Sequence, residues 1–391
     1  MAKVTIIPSK KNPITLTPIN EIIKKKVMDK IKRLILLSVP MSICNFRCNY
    51  CYLSQKSGSY QNKQPDYKYS PEHVGKALSP ERLGGLAFFN VCAAGETLLT
   101  KDIDLYVYEL LKQGHYVEFV TNLTVTPVLE KMLSWDKELL KRLEFKCSFH
   151  YLELKKKNYL ERYASNVHKI WDAGCSANIE ITPCDEMIPY INEIKSFSLD
   201  YFGALPHLSI ARNDDSTGIE YLTHLSMEEY DSTWSQFQSE FWEFKKSIFR
   251  KKRSEFCYAG DWLLNINLAT GMTSQCYRGR FTQNVFENLS TPIVFKAIGH
   301  CLQPHCYNGH ALLTLGCIPH FTTVKYGDIR NRIKSNGEEW LQPELKSFFN
   351  STLVESNKEY SETQKQRLNA INFFLDIPFM LKQQIKKIIK K

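Results

Sequence analysis

The chain has 391 residues, of which 43% are hydrophobic and 24% charged. This length corresponds to roughly two to three domains, and the composition supports a large core and excludes wholesale disorder. Lys and Arg number 51 against 41 Asp and Glu, a formal net charge of +10. The excess falls in runs at 24–26, 155–157, 251–253 and 382–391. Such runs most simply form solvated helix faces, and nucleic acid is not expected as a partner. No apolar run approaches the roughly 18 residues of a membrane span, and residues 1–13 lack the apolar centre of a secretion signal. The expected compartment is the cytoplasm, where thiols stay reduced. The 12 cysteines therefore raise a question of metal or redox chemistry rather than of disulfides.

In chain order, residues 1–33 read as an extended segment and a helix from about Pro18. From 34 to 215 short apolar runs alternate with amphipathic stretches, the signal of repeated βα units on a parallel sheet. Strands are expected at 34–39, 86–91, 116–121, 145–151, 177–182 and 208–211, with helices at 102–113, 128–141 and 159–173. Gly114 and Gly174 stand where helix C-caps need a left-handed residue. Six such units predict an α/β fold, a partial (β/α)6 TIM-like barrel rather than a closed eight-stranded one. Residues 216–256 read as bridging helices with aromatics in a charged background. A small Cys-rich C-terminal module is expected at 257–325 and a helical tail at 326–391. In that tail Leu381, Ile385, Ile388 and Ile389 share one helical face, read here as core packing or a frayed end rather than a membrane anchor.

Strand alternation separates two faces. Lys146, Ser148 and His150 oppose Phe145, Cys147 and Phe149; Asn178, Glu180 and Thr182 oppose Ala177, Ile179 and Ile181. Helices cover the outside of a barrel, so the apolar set points outward. The polar set then lines an interior suited to a polar ligand. Glu180 and His150 are candidate acid–base groups there. Cys92, Cys147, Cys175 and Cys184 fall in or beside predicted core elements and read as small buried hydrophobes.

The sharpest motif is Cys44-Asn-Phe-Arg-Cys48-Asn-Tyr-Cys51, directly after the first strand. Closely spaced thiolates on a loop hold soft metals. Three of them on a four-iron cluster leave one iron open for chemistry. The spacing, with Tyr50 before the third Cys, resembles the signature of the radical S-adenosylmethionine (SAM) superfamily. That resemblance implies a [4Fe-4S] cluster on Cys44, Cys48 and Cys51 that binds and reductively cleaves SAM to a 5′-deoxyadenosyl radical. It also implies hydrogen abstraction from a peptide, protein or small-molecule substrate, and an electron donor such as flavodoxin or ferredoxin. Gly95 and Glu96 match part of the family's Gly-Gly-Glu-Pro-like motif, with Ala94 and Thr97 departing from it. Asn122 matches Thr-Asn-Gly, with Leu123 in place of Gly. Tyr50, Asn122, Ser148 and Arg212 are further candidates for SAM contact, Arg212 toward its carboxylate.

Downstream, Cys257, Cys276, Cys301, Cys306 and Cys317 lie among His300, His305, His310 and His320. The group resembles the shortened, single-cluster form of the SPASM extension called twitch. The resemblance implies an auxiliary [4Fe-4S] cluster, here assigned to Cys257, Cys276, Cys306 and Cys317 with Cys301 as alternate. Residues 265–275 read as its supporting hairpin about Gly271. Zinc bound by Cys and His of the same region also fits the composition. So does a different class of protein, a non-catalytic Fe–S or zinc protein with a basic nucleic-acid-binding surface.

Overall fold

The computed structural model describes residues 29–55, 59–214, 219–277, 279, 281–317 and 324–389. The helix expected from about Pro18 and His320 lie outside the described residues. Six parallel strands follow in sequence order: β1 Arg33–Val39, β2 Ala87–Ala93, β3 Tyr116–Thr121, β4 Leu143–Ser148, β5 Ser176–Ile181 and β6 His207–Leu208. The intervening helices include Pro71–Ala77, Ile103–Lys112, Thr126–Leu133, Leu160–Asp172 and Ile191–Phe202. This is the partial barrel arrangement, with both faces of the sheet buried as parallel strands require.

Local sequence explains the boundaries. Asp102 precedes the helix Ile103–Lys112 as its N-cap, and Gly114 and Gly174 take φ of 88° and 84° just past their helices. The single helix expected over 128–141 is two. Asp136 accepts a hydrogen bond from the Glu138 amide and starts a new turn at Lys137–Leu140. The bridging segment is likewise broken. Gln238 takes φ 49°, and Ser239 caps Glu240–Ile248 by accepting from the Trp242 amide. Strand β4 begins two residues earlier than expected. β6 is only two residues long, and Arg212–Asn213 (β7) turns off to pair with Glu220–Tyr221 (β8).

The Cys-rich segment extends the same sheet. Strand β9, Leu263–Asn267, runs parallel to β1 with Leu36 opposite Asn265. Met272–Ser274 (β10) returns from it antiparallel, and Thr282–Asn284 (β11) forms the edge. Gly271 makes the hairpin turn at φ 74°. A Cβ there would stand 2.5 Å from Asn284 Oδ1 and 2.6 Å from the Phe286 ring.

The apolar strand face behaves as expected. Val117, Phe119, Phe145, Cys147, Ala177, Ile179 and Ile181 are fully buried against helix residues such as Val167 and Ile170. The polar face is buried too, and protein groups fill it where a ligand was expected. Asn90, Glu118 and Glu144 form one rung across β2, β3 and β4. Into this layer reaches Arg330 of the helix Tyr326–Arg330, 0% exposed. Its Nη1 lies 2.6 Å from Glu180 Oε2, and its Nη2 is 4.0 Å from both Glu118 and Glu144. Tyr326 donates to Glu118 at 2.5 Å. The barrel interior is thus closed by a segment that follows the Cys-rich module. Buried carboxylates demand a counter-charge, and the chain supplies its own.

Candidate cofactor site and central cavity

The three cysteines of the motif lie on the loop that leaves the C-terminal end of β1, where parallel α/β folds place their chemistry. All 12 cysteines of the chain are free of disulfides. Cys48 is buried, and Cys44 and Cys51 are partly exposed. Burial pushes the Cys44 thiol up to about 11 and Cys48 to about 12. A thiolate at such depth needs a cation, and a metal–sulfur core supplies one. The donor set therefore suits a thiophilic metal group. Among the described residues, no three Cys, His, Asp or Glu side chains converge closely enough to hold a metal ion. A multi-iron core, which sits between its thiolates, needs them farther apart than a lone ion does.

The loop is fixed by its own polar residues. Asn45 donates to Thr124 Oγ1 at 2.8 Å and accepts from Asn122 Nδ2 at 2.8 Å. Arg47 donates to the carbonyls of Cys44 and Phe46 at 2.5 and 2.8 Å, and its backbone amide donates to Glu153 at 3.2 Å. Ser54 donates to the Cys48 carbonyl at 2.8 Å. Tyr50 is buried, with its hydroxyl 2.8 Å from His150 Nδ1. Burial pushes the His150 imidazole down to about 4, so it stays neutral and orients Tyr50. Ser148 ends β4 beside this pair.

Gly95 and Glu96 serve the loop from the second strand. The Glu96 amide donates to the Ile43 carbonyl at 2.8 Å. The Glu96 carboxylate accepts from the amides of Leu98 and Asn122 at 3.0 and 2.6 Å and from the Thr121 hydroxyl. Burial raises it to about 7 against the pull of those three donors. Thr97, the departure from the family's Pro, accepts from the Ala93 amide at 3.2 Å and opens a short 3-10 turn. Leu123, the departure from Gly, keeps the conformation a glycine would favour: φ is 59° at a fully buried side chain. Left-handed backbone costs a non-glycine residue roughly 1–2 kcal/mol, here offset by burial of the leucine.

Two other candidates are already engaged. Glu180 faces Arg330, Lys146 at 3.3 Å and Lys245 at 3.8 Å. These cations hold its carboxyl well below the usual range despite burial. It is a counter-charge and a poor proton carrier. Arg212 forks onto Asp214, with Nε 2.7 Å and Nη2 3.4 Å from its two oxygens.

Above the barrel lies a cavity of about 590 Å³ lined by Ser38, Tyr52, Cys92, Lys146, Arg212 and Asp214, among others. Cys92, read as buried core from the sequence, is half-buried and opens onto this cavity. It sits on the inward face of β2, in step with Asn90. Cys147, Cys175 and Cys184 are buried as expected. A second cavity, of about 350 Å³, is lined by Cys257, Cys276, Cys301 and Cys306. Cys317 is not among its lining. The structure thus gathers the alternate Cys301 with three of the four assigned ligands and sets Cys317 apart. Sequence spacing gave no way to choose, because the loop 299–308 doubles back: Gly299 bridges Cys257, bringing Cys301 to it. Tyr277, Tyr307 and Asn308 line both cavities and form the wall between them. These residues, like Asn45 and Thr124, carry no sequence signal of their own beyond proximity to cysteines.

No protein-family model matches the chain, and no curated protein matches it in sequence. Several solved structures do resemble it. SuiB of Streptococcus suis, bound to its precursor peptide SuiA, is 14% identical over 73% of this chain and 72% of that one, with a TM-score of 0.43. The enzyme anSMEcpe with bound AdoMet is 14% identical over 66% of this chain and 76% of that one, with a TM-score of 0.46. BtrN in complex with AdoMet and 2-DOIA is 16% identical over 70% of this chain and 80% of that one, with a TM-score of 0.34.

Proposed function

We propose that the chain is a radical SAM enzyme, with its barrel at about 34–215, bridging helices at 216–256 and an auxiliary iron–sulfur module at about 257–325. The observation that carries this reading is the placement of Cys44, Cys48 and Cys51. They sit on one tightly tethered loop at the C-terminal mouth of six parallel strands, beside a cavity lined by polar and aromatic groups. Cys44, Cys48 and Cys51 would hold a [4Fe-4S] cluster there, which when bound would supply an open iron to SAM and the electron for its cleavage. The chain's own residues do the rest. Asn45, Arg47 and Glu96 hold the loop in one geometry, which is the pre-organisation such a site requires. Asn122 and Ser148, at the C-terminal ends of the third and fourth strands, and Arg212, which lines the cavity, are the proposed SAM contacts, and Arg212 would exchange Asp214 for the SAM carboxylate.

The cavity of about 590 Å³ is the proposed substrate chamber. Tyr52, Tyr277 and Tyr307 give it aromatic walls. Lys146, paired with Glu180 at 3.3 Å, is part of its lining. Cys257, Cys276, Cys301 and Cys306 are proposed to bind the auxiliary cluster as a closed four-thiolate set. Substrates of either class, peptide or small molecule, are compatible with this chamber.

The test is anaerobic reconstitution of the full chain. About eight irons per chain are expected for two four-iron clusters, with 5′-deoxyadenosine formed from SAM under a strong reductant. Cys48→Ala should abolish that product while leaving about four irons at the second site. Zinc in place of iron, or no cleavage by an iron-loaded protein, would overturn the reading.

A further inference from the structure

Over residues 369–376 the helix Glu362–Ile389 is inverted relative to an ordinary surface helix. Its polar residues there face the protein. Asn369 accepts from the His300 amide at 2.9 Å, Asn372 donates to the Ile298 carbonyl at 2.5 Å, and Asn372 and Asp376 are each only 4% exposed. Several apolar residues face away: Phe374 is 69% exposed, Phe373 55%, Leu381 54% and Ile371 45%, whereas Leu375 lines the cavity shared by Cys257, Cys276, Cys301 and Cys306. Of the four tail residues read as core packing or a frayed end, Leu381 is 54% exposed, and the side chains of Ile385, Ile388 and Ile389 lie outside the described residues. A cluster of exposed large apolar side chains marks a contact surface.

Charge identifies the occupant. Residues 382–391 carry five lysines and no acid. Between 363 and 391 the sole acidic residue is Asp376, which is buried. A second copy of this helix would thus bring a single exposed carboxylate, Glu362, to meet five lysines. Residues 1–28 offer no better match, with six lysines and one glutamate. An anionic lipid surface answers both features, since it takes phenylalanine and leucine into the acyl boundary and lysine at its headgroups. Among the described residues no helix is long and apolar enough to cross a membrane, so the contact is one of lying on the surface. We propose that the helix Glu362–Ile389 docks the protein on an anionic bilayer through Ile371, Phe373, Phe374 and Leu381, with the terminal lysines as electrostatic partners.

Flotation of the full chain with vesicles tests this. Binding is expected to phosphatidylcholine vesicles containing phosphatidylserine and not to phosphatidylcholine alone, and to weaken in high salt. Phe374→Asp should abolish it with the melting temperature unchanged, since the side chain is solvent-facing. Lys386→Gln with Lys387→Gln should weaken it on the order of thirtyfold, from the contribution of two surface lysines. The proposal falls if the wild type ignores phosphatidylserine vesicles, or if Phe374→Asp floats as well as wild type. It also falls if light scattering shows a dimer that Phe374→Asp splits, which would make a second copy the occupant.

Discussion

Gly95 lies directly against the carbonyl of Ile43: a Cβ added at Gly95 would stand 2.2 Å from that oxygen. The contact joins the end of the second strand to the loop that begins the cysteine motif, one residue before Cys44. Glycine is required here by close approach of two backbones, not by a positive φ. Gly95 thus acts on the proposed cluster through Ile43, as a positioning residue.

Gly95→Ala should therefore displace the loop. Since a misplacement of about 1 Å can cost on the order of a hundredfold in rate, 5′-deoxyadenosine formation should fall by about that factor. Iron at the second site should stay. Iron and SAM cleavage at wild-type levels in Gly95→Ala would refute this role.

Cys301→Ala should remove the auxiliary group, a loss of about four irons, whereas Cys317→Ala should retain it. The geometry makes this discriminating, because Cys301 lines the cavity with Cys257, Cys276 and Cys306 and Cys317 does not. Iron analysis of the two variants decides it, and the reverse pattern would restore Cys317 as ligand.

Arg330→Met should be strongly destabilising. It leaves Glu180, Glu118 and Glu144 buried without their shared cation, and breaking a buried pair costs about 3–5 kcal/mol. Urea unfolding measures this. A midpoint unchanged from wild type would show that Lys146 and Lys245 suffice as counter-charges.

Stability should fall in mild acid through His115. The Ala87 amide donates to its Nδ1 at 3.1 Å, so the proton sits on Nε2, which donates to the Leu78 carbonyl at 2.7 Å. Burial pushes its pKa from 6.5 down to about 4. The folded state therefore refuses a proton that the unfolded chain accepts. The stabilising difference is complete above pH 6.5 and is lost as pH falls toward 4, reaching roughly 3 kcal/mol for this shift. The loss in unfolding free energy between pH 7 and pH 4.5 should be smaller in His115→Gln than in wild type. Equal losses would exclude His115 as a source of the acid sensitivity.

Much of the βα succession could be read from residue order, since period-two apolar runs and helix-terminal glycines are local signals. Strand β3 falls where expected, and β1, β2 and β5 shift by one or two residues. The cysteine motif was legible because its spacing is itself short-range. Less legible were contacts joining distant segments. Arg330 meets Glu180 across 150 residues. Strand β9 pairs with β1 from more than 200 residues away, so the Cys-rich module shares the barrel's sheet. Cys92 read as core because a half-polar strand does not reveal how far the interior is filled.

By itself, the sequence determined the alternation of strands and helices, the two faces of β4 and β5, and which thiols share a loop, because those properties depend on neighbours within a few positions along the backbone. Only the tertiary structure decided that Arg330 fills the polar interior, that Cys301 lines a cavity with Cys257, Cys276 and Cys306 while Cys317 is not in that lining, and that the last helix turns Phe373 and Phe374 outward. Each of those outcomes rests on which remote segment wins a buried charge, a cavity wall or a backbone hydrogen bond, and that competition is settled by packing in three dimensions.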